Sequence, residues 1–485
     1  MTIGATLASA LSGLTAASKR AELVSSNIAN ASTPGYGRRE LQVRARTVGT
    51  SGQGVQIVGV NRTANPALIS DRRLAQSAQG EADTKSAFYQ RIETLMGTPD
   101  LPYSVNGRVA AFDSALTEAV SHPEAGPRLN AAVDAAKGVA NSIMAIGKDI
   151  QAARTAADTE IASQVKQLNS ALEKASKLNV QIRKGFGIGQ DTGALEDQRQ
   201  QVIDQIAKIV PLREIPQSDG SVSLYTTMGG VLMDGIPSVF GFSRTSAISP
   251  AMTLQSGGLS GLTLNGVATP TSGQSSVILG GSLAGNFAVR DDLAVTAQIQ
   301  IDAVARDLVE RFQDNALDAT RAPGAAGLFT DSGTAFDPLN ETGLAQRLKV
   351  NRSVDPAQGG ALWRIRDGLG AATPGSVGNT ALLTDLRAAL TSERAPASGG
   401  FMAGARSFSA LASDLLSTTA SNKLSAQGEA TYAAARLDTF TSMEAQGGVD
   451  TDQEMQDLLQ IEQSYAANAK VIKTVDDMIK ILMDM

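Results

Sequence analysis

The chain has 485 residues, of which 42% are hydrophobic, 19% charged and only 4% aromatic. This is the composition of a globular, Ala-rich protein with length for about three domains. A net charge of −6 gives no overall attraction to nucleic acid or to an anionic membrane, and the absence of cysteine excludes a disulfide framework and thiolate metal ligands. No apolar run is long enough to span a bilayer, and no basic segment precedes the apolar stretch at the amino terminus.

Residues 1–30 read as a helix with two apolar rows at alternating steps of three and four. One is Leu7, Leu11, Leu14, Ser18, Ala21, Ser25 and Ile28; the other is Ile3, Leu7, Ala10, Leu14, Ala17, Ala21, Val24 and Ile28. Together they form a stripe wider than a two-stranded seam needs, so the helix is expected to meet more than one neighbour. Asn30, Ser32, Pro34, Gly35 and Gly37 stop it. Residues 38–62 alternate as a β-hairpin around a glycine-rich loop at 49–54. Arg38, Arg39, Arg44 and Arg46 form a basic cluster there. Without interleaved aromatics it reads as a solvated strand face or a subunit contact rather than a nucleic-acid site.

Helical patterns follow at 66–96, 106–120, 127–150, 153–184 and 194–210, separated by short loops, as in an elongated antiparallel bundle. Past Pro211 charge nearly vanishes and turn signals appear at Asp234–Gly235 and Asn265–Gly266, so 211–285 is expected to be a β-rich outer domain. Helix returns at 286–320, with Ile301, Val304, Leu308 and Phe312 on one face. Residues 321–400 read as a Gly- and Pro-rich irregular insertion with strand-like pieces at 348–350 and 362–365 and a helical piece at 381–390. Residues 401–445 read as helix again.

The last segment, 446–485, carries the most regular pattern. Leu458, Ile461, Tyr465, Asn468, Ile472, Val475, Ile479 and Leu482 are spaced 3, 4, 3, 4, 3, 4, 3, an a/d heptad seam running to the end of the chain. A lone helix cannot bury such a seam, and the helix of residues 1–30 is the candidate partner. The expected fold is mainly α with β-rich insertions. The N- and C-terminal helices pair as a coiled coil (1–62 with 446–485), on a nested, elongated helical stem (63–210, 286–320, 401–445), with outer β-rich domains. Asn468 stands at a seam position where an apolar residue is expected, and a buried Asn can fix register.

Nothing in the chain presents a catalytic, cofactor or metal site. The single histidine, His122, sits in a loop before a proline. The glycines of 184–193 and 368–375 lack the Gly-Lys-Ser/Thr of a phosphate loop, and no cluster of His, Cys and spaced acids occurs. The expectation is a non-enzyme without a cofactor.

The strings ALSGLTAASKRAELVSSNIANASTPGYGRRELQV near the amino terminus and GGVDTDQEMQDLLQIEQSYAANAKVIKTVDDMIKILMDM at the carboxy end resemble the terminal signatures of flagellar axial proteins, which comprise rod, hook and hook-associated proteins. The phrases LEDQRQQVIDQIAKIV and 280–318 look like the helical domain of the hook-associated, junction-type members. The resemblance implies a structural subunit of the bacterial flagellum that joins hook to filament, associates with itself into a ring, and touches hook protein and a second hook-associated junction protein. It also implies an export chaperone on the C-terminal helix and export to the cell exterior without a cleaved signal peptide. Neither nucleic acid nor membrane insertion enters. The assembly residues would be Leu7, Leu11, Leu14, Ala21 and Ile28 on one helix, and Leu458, Ile461, Tyr465, Asn468, Ile472, Val475, Ile479 and Leu482 on the other. Another axial protein (hook, rod or the second junction protein) and a secreted wall hydrolase are the alternative readings.

Overall fold

The computed structural model describes residues 3–33, 35–48, 51–273 and 275–484. Helix α1 (Ile3–Asn30) leads into the antiparallel pair β1 (Arg38–Val48) and β2 (Ser51–Thr63). Residues 51–54, expected in the loop, belong to β2; positions 49 and 50 of that loop lie outside the described residues. Gly54 has φ +88, and a Cβ there would stand 2.9 Å from Ser9 Cα. Its lack of a side chain lets the ribbon lie directly on α1.

Helix α2 (Pro66–Met96) has the limits its sequence announces. The Asn65 side chain accepts the Leu68 N–H, Pro66 fills the first turn, and Gly97 ends the helix at φ 68. α3 (Val105–Ser121) follows, capped by Ser104. The next helix departs from expectation. α4 (Gly126–Gly187) is one uninterrupted helix of 62 residues, not two, because residues 150–153 (Ile-Gln-Ala-Ala) contain no Gly, Pro or capping side chain to break it. By the rise of an α-helix it is about 93 Å long and forms the spine of the stem. α5 (Gly193–Ile209) folds back along it.

The β-rich unit comprises a four-stranded antiparallel sheet, β3 (Leu212–Pro216), β4 (Val222–Thr226), β5 (Val231–Asp234) and β6 (Ile236–Pro237), in that order. A three-stranded one holds β7 (Phe240–Gly241), β8 (Leu262–Leu264) and β9 (Val267–Thr269). Both flank the second half of α4: Asn169 bonds both ways with the Phe240 backbone, and Asn179 does so with that of Val222. Stem helix resumes as α6 (Gly281–Ala288), a π-helical turn at Val289–Leu293, and α7 (Ala294–Gln313). The π turn aims Arg290, fully buried, at Asp158 2.7 Å away and at the Ser260 carbonyl at 3.0 Å, which ties the loop between β7 and β8 onto α4.

The segment 321–400 contains β10 (Phe329–Asp331), α8 (Leu344–Arg347), β11 (Leu348–Val350), α9 (Arg364–Asp367) and α10 (Ala381–Thr391). Residues 348–350 are a strand as expected. Residues 362–365 are not, because they turn into α9. Nor is this segment an appendage. Phe329, Phe336, Leu344 and Leu383 are buried in the main core, where the Phe329 ring lies 5.0 Å from Phe312 and 6.0 Å from Phe112. A second core fills the space between the later half of α4, α5 and the sheets.

α11 (Phe408–Gln446) begins later than the pattern at 401 suggested. It returns antiparallel along α2, with ion pairs Lys423–Glu93 and Arg72–Glu444 near the two ends of α2. Past Gly447–Gly448 the chain enters α12 (Thr451–Met483), capped by Asp450, whose carboxylate accepts the N–H groups of Asp452 and Gln453.

Candidate assembly surface

α12 lies antiparallel on α1. Asn27, near the end of α1, donates to Glu454 at the start of α12 at 3.1 Å. Gly13 faces Asn468 farther along, and Ile3 and Thr6 border one groove with Val475 and Met478. The seam of α12 is the one its spacing marks. Ile461 and Val475 are buried, Leu458, Asn468, Ile472 and Ile479 are half-buried, and Tyr465 and Leu482 stay exposed.

On α1 the pairing uses the second of the two apolar rows. Ala17 and Val24 pack with Ile461, flanked by Ala21, Ile28 and Leu458, and Ala10 is buried on the same row. Leu14 is half-buried, whereas Leu7 and Leu11 are 37% and 56% exposed. The small residues decide between the rows. Ala10 and Ala17 stand on the paired row, and beside it a Cβ on Gly13 would stand 2.9 Å from the Asn468 amide, so small side chains here let α12 approach closely. α1 does meet a second neighbour within the chain, but through residues outside both rows, while Leu11, Ser18 and Ser25, which widen the stripe, stay exposed. Ala16 and Leu23 line a cleft with Leu41, Val43 and Val55 of the hairpin, and the Ser12 hydroxyl accepts the Val55 N–H at 3.1 Å.

The two helices leave apolar surface uncovered. Leu7 and Leu11 on α1, and Met455, Leu459, Val471, Met478 and Ile481 on α12, are between 37% and 62% exposed. Side chains of this kind on two paired helices form a surface suited to further helix packing.

A polar node closes the pair where α1, β1 and α12 meet. Glu454, 1% exposed, accepts from Arg38 Nε at 2.6 Å as well as from Asn27. Asn27 in turn accepts the Tyr36 hydroxyl at 2.8 Å and the Arg39 N–H at 3.0 Å. Asp457 adds a longer pair to Arg38 at 3.4 Å. Of the four arginines of β1, Arg38 and Arg39 are therefore anchors within the chain. Arg44 bonds Gln56 across the ribbon at 3.0 Å, and Arg46 is exposed. Sequence reasoning missed the partners because Glu454 stands 416 residues from Arg38. The one available signal was the pairing of the two terminal helices, which brings their flanking charges together.

His122 is exposed at the end of α3, 3.2 Å from Glu124. Among the described residues no group of His, Cys, Asp and Glu is arranged to hold a metal, and no helix is long and apolar enough to cross a membrane.

Three family models match the chain. The flagellar hook-associated protein FlgK helical domain covers residues 89–328, the flagella basal body rod protein model covers 7–36, and the flagellar basal body rod FlgEFG protein C-terminal model covers 444–485. Flagellar hook-associated protein 1 of Salmonella typhimurium is 29% identical over 233 residues, which span 47% of this chain and 42% of that protein. The proteins of the same description from Bacillus subtilis and Escherichia coli are each 24% identical, over 43% and 47% of this chain and 43% and 42% of theirs. The chain thus matches less than half the length of these relatives. The flagellar hook junction protein FlgK from Burkholderia pseudomallei is a structural neighbour with a TM-score of 0.43 at 20% identity, covering 54% of this chain and 47% of that one.

Proposed function

We propose, for a chain that belongs to the flagellar axial proteins of the hook-associated type, that it is a structural subunit joining hook to filament and assembling through its terminal helices. The observation that carries the reading is the antiparallel pairing of the two ends of the sequence into a unit that leaves Leu7, Leu11, Leu459 and Ile481 uncovered. Burying such residues against neighbouring subunits contributes about 25 cal/mol per Å² of apolar surface, and a ring of identical subunits repeats that gain at every interface. The seam residues hold the two helices together, and the exposed rows then face the neighbours. Hook protein on one side and a second junction protein on the other are the partners such a ring needs. Before assembly, a chaperone on α12 would cover its apolar face during export, which proceeds without a cleaved signal peptide and delivers the subunit outside the cell. The role is structural and calls for no catalysis.

A strain deleted for the gene tests this. The expected result is intact hooks, no filaments and monomeric flagellin in the medium, all reversed by the intact chain. Loss of the hooks themselves would move the protein to the hook or rod. Normal filaments with altered peptidoglycan turnover would point instead to the wall-hydrolase reading.

A further inference from the structure

The terminal unit, α1 with the hairpin and α12, and the stem have separate apolar cores. Ala17, Val24 and Ile461 with their flanking residues form one, and no member of it belongs to either core of the stem. Apolar packing therefore does not fix how the two bodies meet.

Among the described residues, the ion pairs between the two bodies converge on one carboxylate. Asp197, on the first turns of α5, is 7% exposed. Its Oδ1 accepts Arg62 Nε from β2 at 2.7 Å and the Gly37 backbone N–H at 3.1 Å, and its Oδ2 accepts an Arg39 guanidinium N–H from β1 at 2.8 Å. A single stem side chain thus grips three points of the hairpin base. The Arg39 guanidinium lies 5.1 Å above the Tyr36 ring, which orients it toward Asp197, while its Nε is buried without a hydrogen-bond partner.

Beside this grip lies an open cavity. The terminal unit bounds it with Tyr36 and Arg62, the stem bounds it with Leu68, Arg72 and Met443, and Gly447 lies at its edge. The main chain crosses from one body to the other twice, at residues 64–65 and 447–450, and the second crossing contains two glycines in succession. Bodies with separate cores, joined by two short crossings and separated on one side by open space, can change their angle without breaking either core. What holds the present angle is a set of charge-assisted hydrogen bonds, which are directional and have a short range.

We infer that the meeting of the terminal unit with the stem is an articulation locked by Asp197, with Arg39, Arg62 and the Gly37 N–H as its catch and the adjoining cavity as the space into which it turns. The device is a property of the isolated chain and does not depend on the assembly reading. In a polymer it would let the terminal helices adopt one tilt while the stem adopts another.

The chain contains no cysteine, so Val58→Cys on the exposed side of β2 and Lys174→Cys on the exposed face of α4 create the only two attachment points for spin labels. The parent pair should give one narrow distance distribution by pulsed electron resonance. Asp197→Ala should at least double its width while the melting temperature of the stem stays unchanged. The double variant Arg39→Gln with Arg62→Gln alters only the hairpin side and should broaden the distribution to the same extent, which keeps the inference testable if Asp197→Ala folds poorly. Widths equal to that of the parent in the folded variants would overturn it, and so would a broad distribution in the parent itself.

Discussion

Asp302 on α7 shows what one buried side chain can do to the chain as a whole. Its carboxylate is 2% exposed and accepts the backbone N–H groups of Gly343 and Ala345 at 2.7 and 2.8 Å, tying the segment 321–400 to the stem. Burial pushes its pKa up from 3.8 to about 6, against the opposing effect of those hydrogen bonds and of Arg347. The native state therefore keeps a proton that the unfolded chain has released between these two pH values. The stability this contributes is fully present below about pH 4 and is lost as the pH rises through 6, a change on the order of 3 kcal/mol for a shift of this size. Asp355 and Asp367 are held below the ordinary carboxylate range, the first chiefly by Lys137 and the second by Arg366, so they act with the opposite sign. A difference measurement isolates the one group. The stability of the parent relative to Asp302→Asn should fall between pH 4 and pH 6 in urea titrations; a difference that stays constant with pH refutes the assignment. The same scale shows where sequence reading reaches its limit. The arginines at 38 and 39 were visible as a cluster, but their acceptors, Glu454 and Asp197, lie far along the chain, and no local pattern names them.

At the scale of elements, periodicity and punctuation carried the reading where they were strong. α2 begins and ends where Asn65, Pro66 and Gly97 place it, and the burial of α12 follows its heptads except at Tyr465 and Leu482. The reading fell short where punctuation was inferred without a breaker, as at 150–153 within α4, and where two apolar rows competed on α1. There the choice belonged to Gly13 and Ala17, which become informative only once α12 lies against them. The segment 321–400 looked irregular because its order comes from tertiary packing on Phe312 and Phe112, with little regular structure of its own. The paired helices can be tested through Ile461→Asp. Ile461 lies against Ala17 and Val24, so losing its burial costs about 2 kcal/mol, and placing a carboxylate there costs several more. The stem cores contain no residue of this cluster. By calorimetry the variant should keep the main unfolding transition of the parent, while the hydrogen-exchange protection of α1 and α12 collapses and filaments fail to form on cells. Loss of the main transition as well would mean that the seam is part of one common core.

Across the whole molecule, stability should be graded from stem to ends. The stem has two extended cores built around α4, whose buried residues run from Leu129 to Gly185. The terminal unit has a narrow seam in which few side chains are fully buried: in α12 only Glu454, Ile461 and Val475 reach that state. Helices of this length gain most of their stability from packing, and α12 packs chiefly along one side, on α1. The polar node at Glu454 and the grip on Asp197 secure the near end of the unit, where α1 ends and α12 begins. Toward the end of α12 exposure rises, with Met478 at 50%, Leu482 at 60% and Met483 at 81%, and at the start of α1 Ile3 and Leu7 are each 37% exposed. Opening should therefore begin at the far end and travel toward Glu454, at a free energy well below that of global unfolding. In a monomer, limited proteolysis should remove residues beyond about 465 and before about 15 first, then the rest of α12 and α1, leaving a resistant fragment that begins near α2 and ends near Gln446. In the assembled state the same sites should be protected, because the exposed apolar rows would then be covered. Equal resistance of α1, α12 and the stem in a demonstrated monomer would show that the pair is stable by itself and would remove the energetic reason for its assembly.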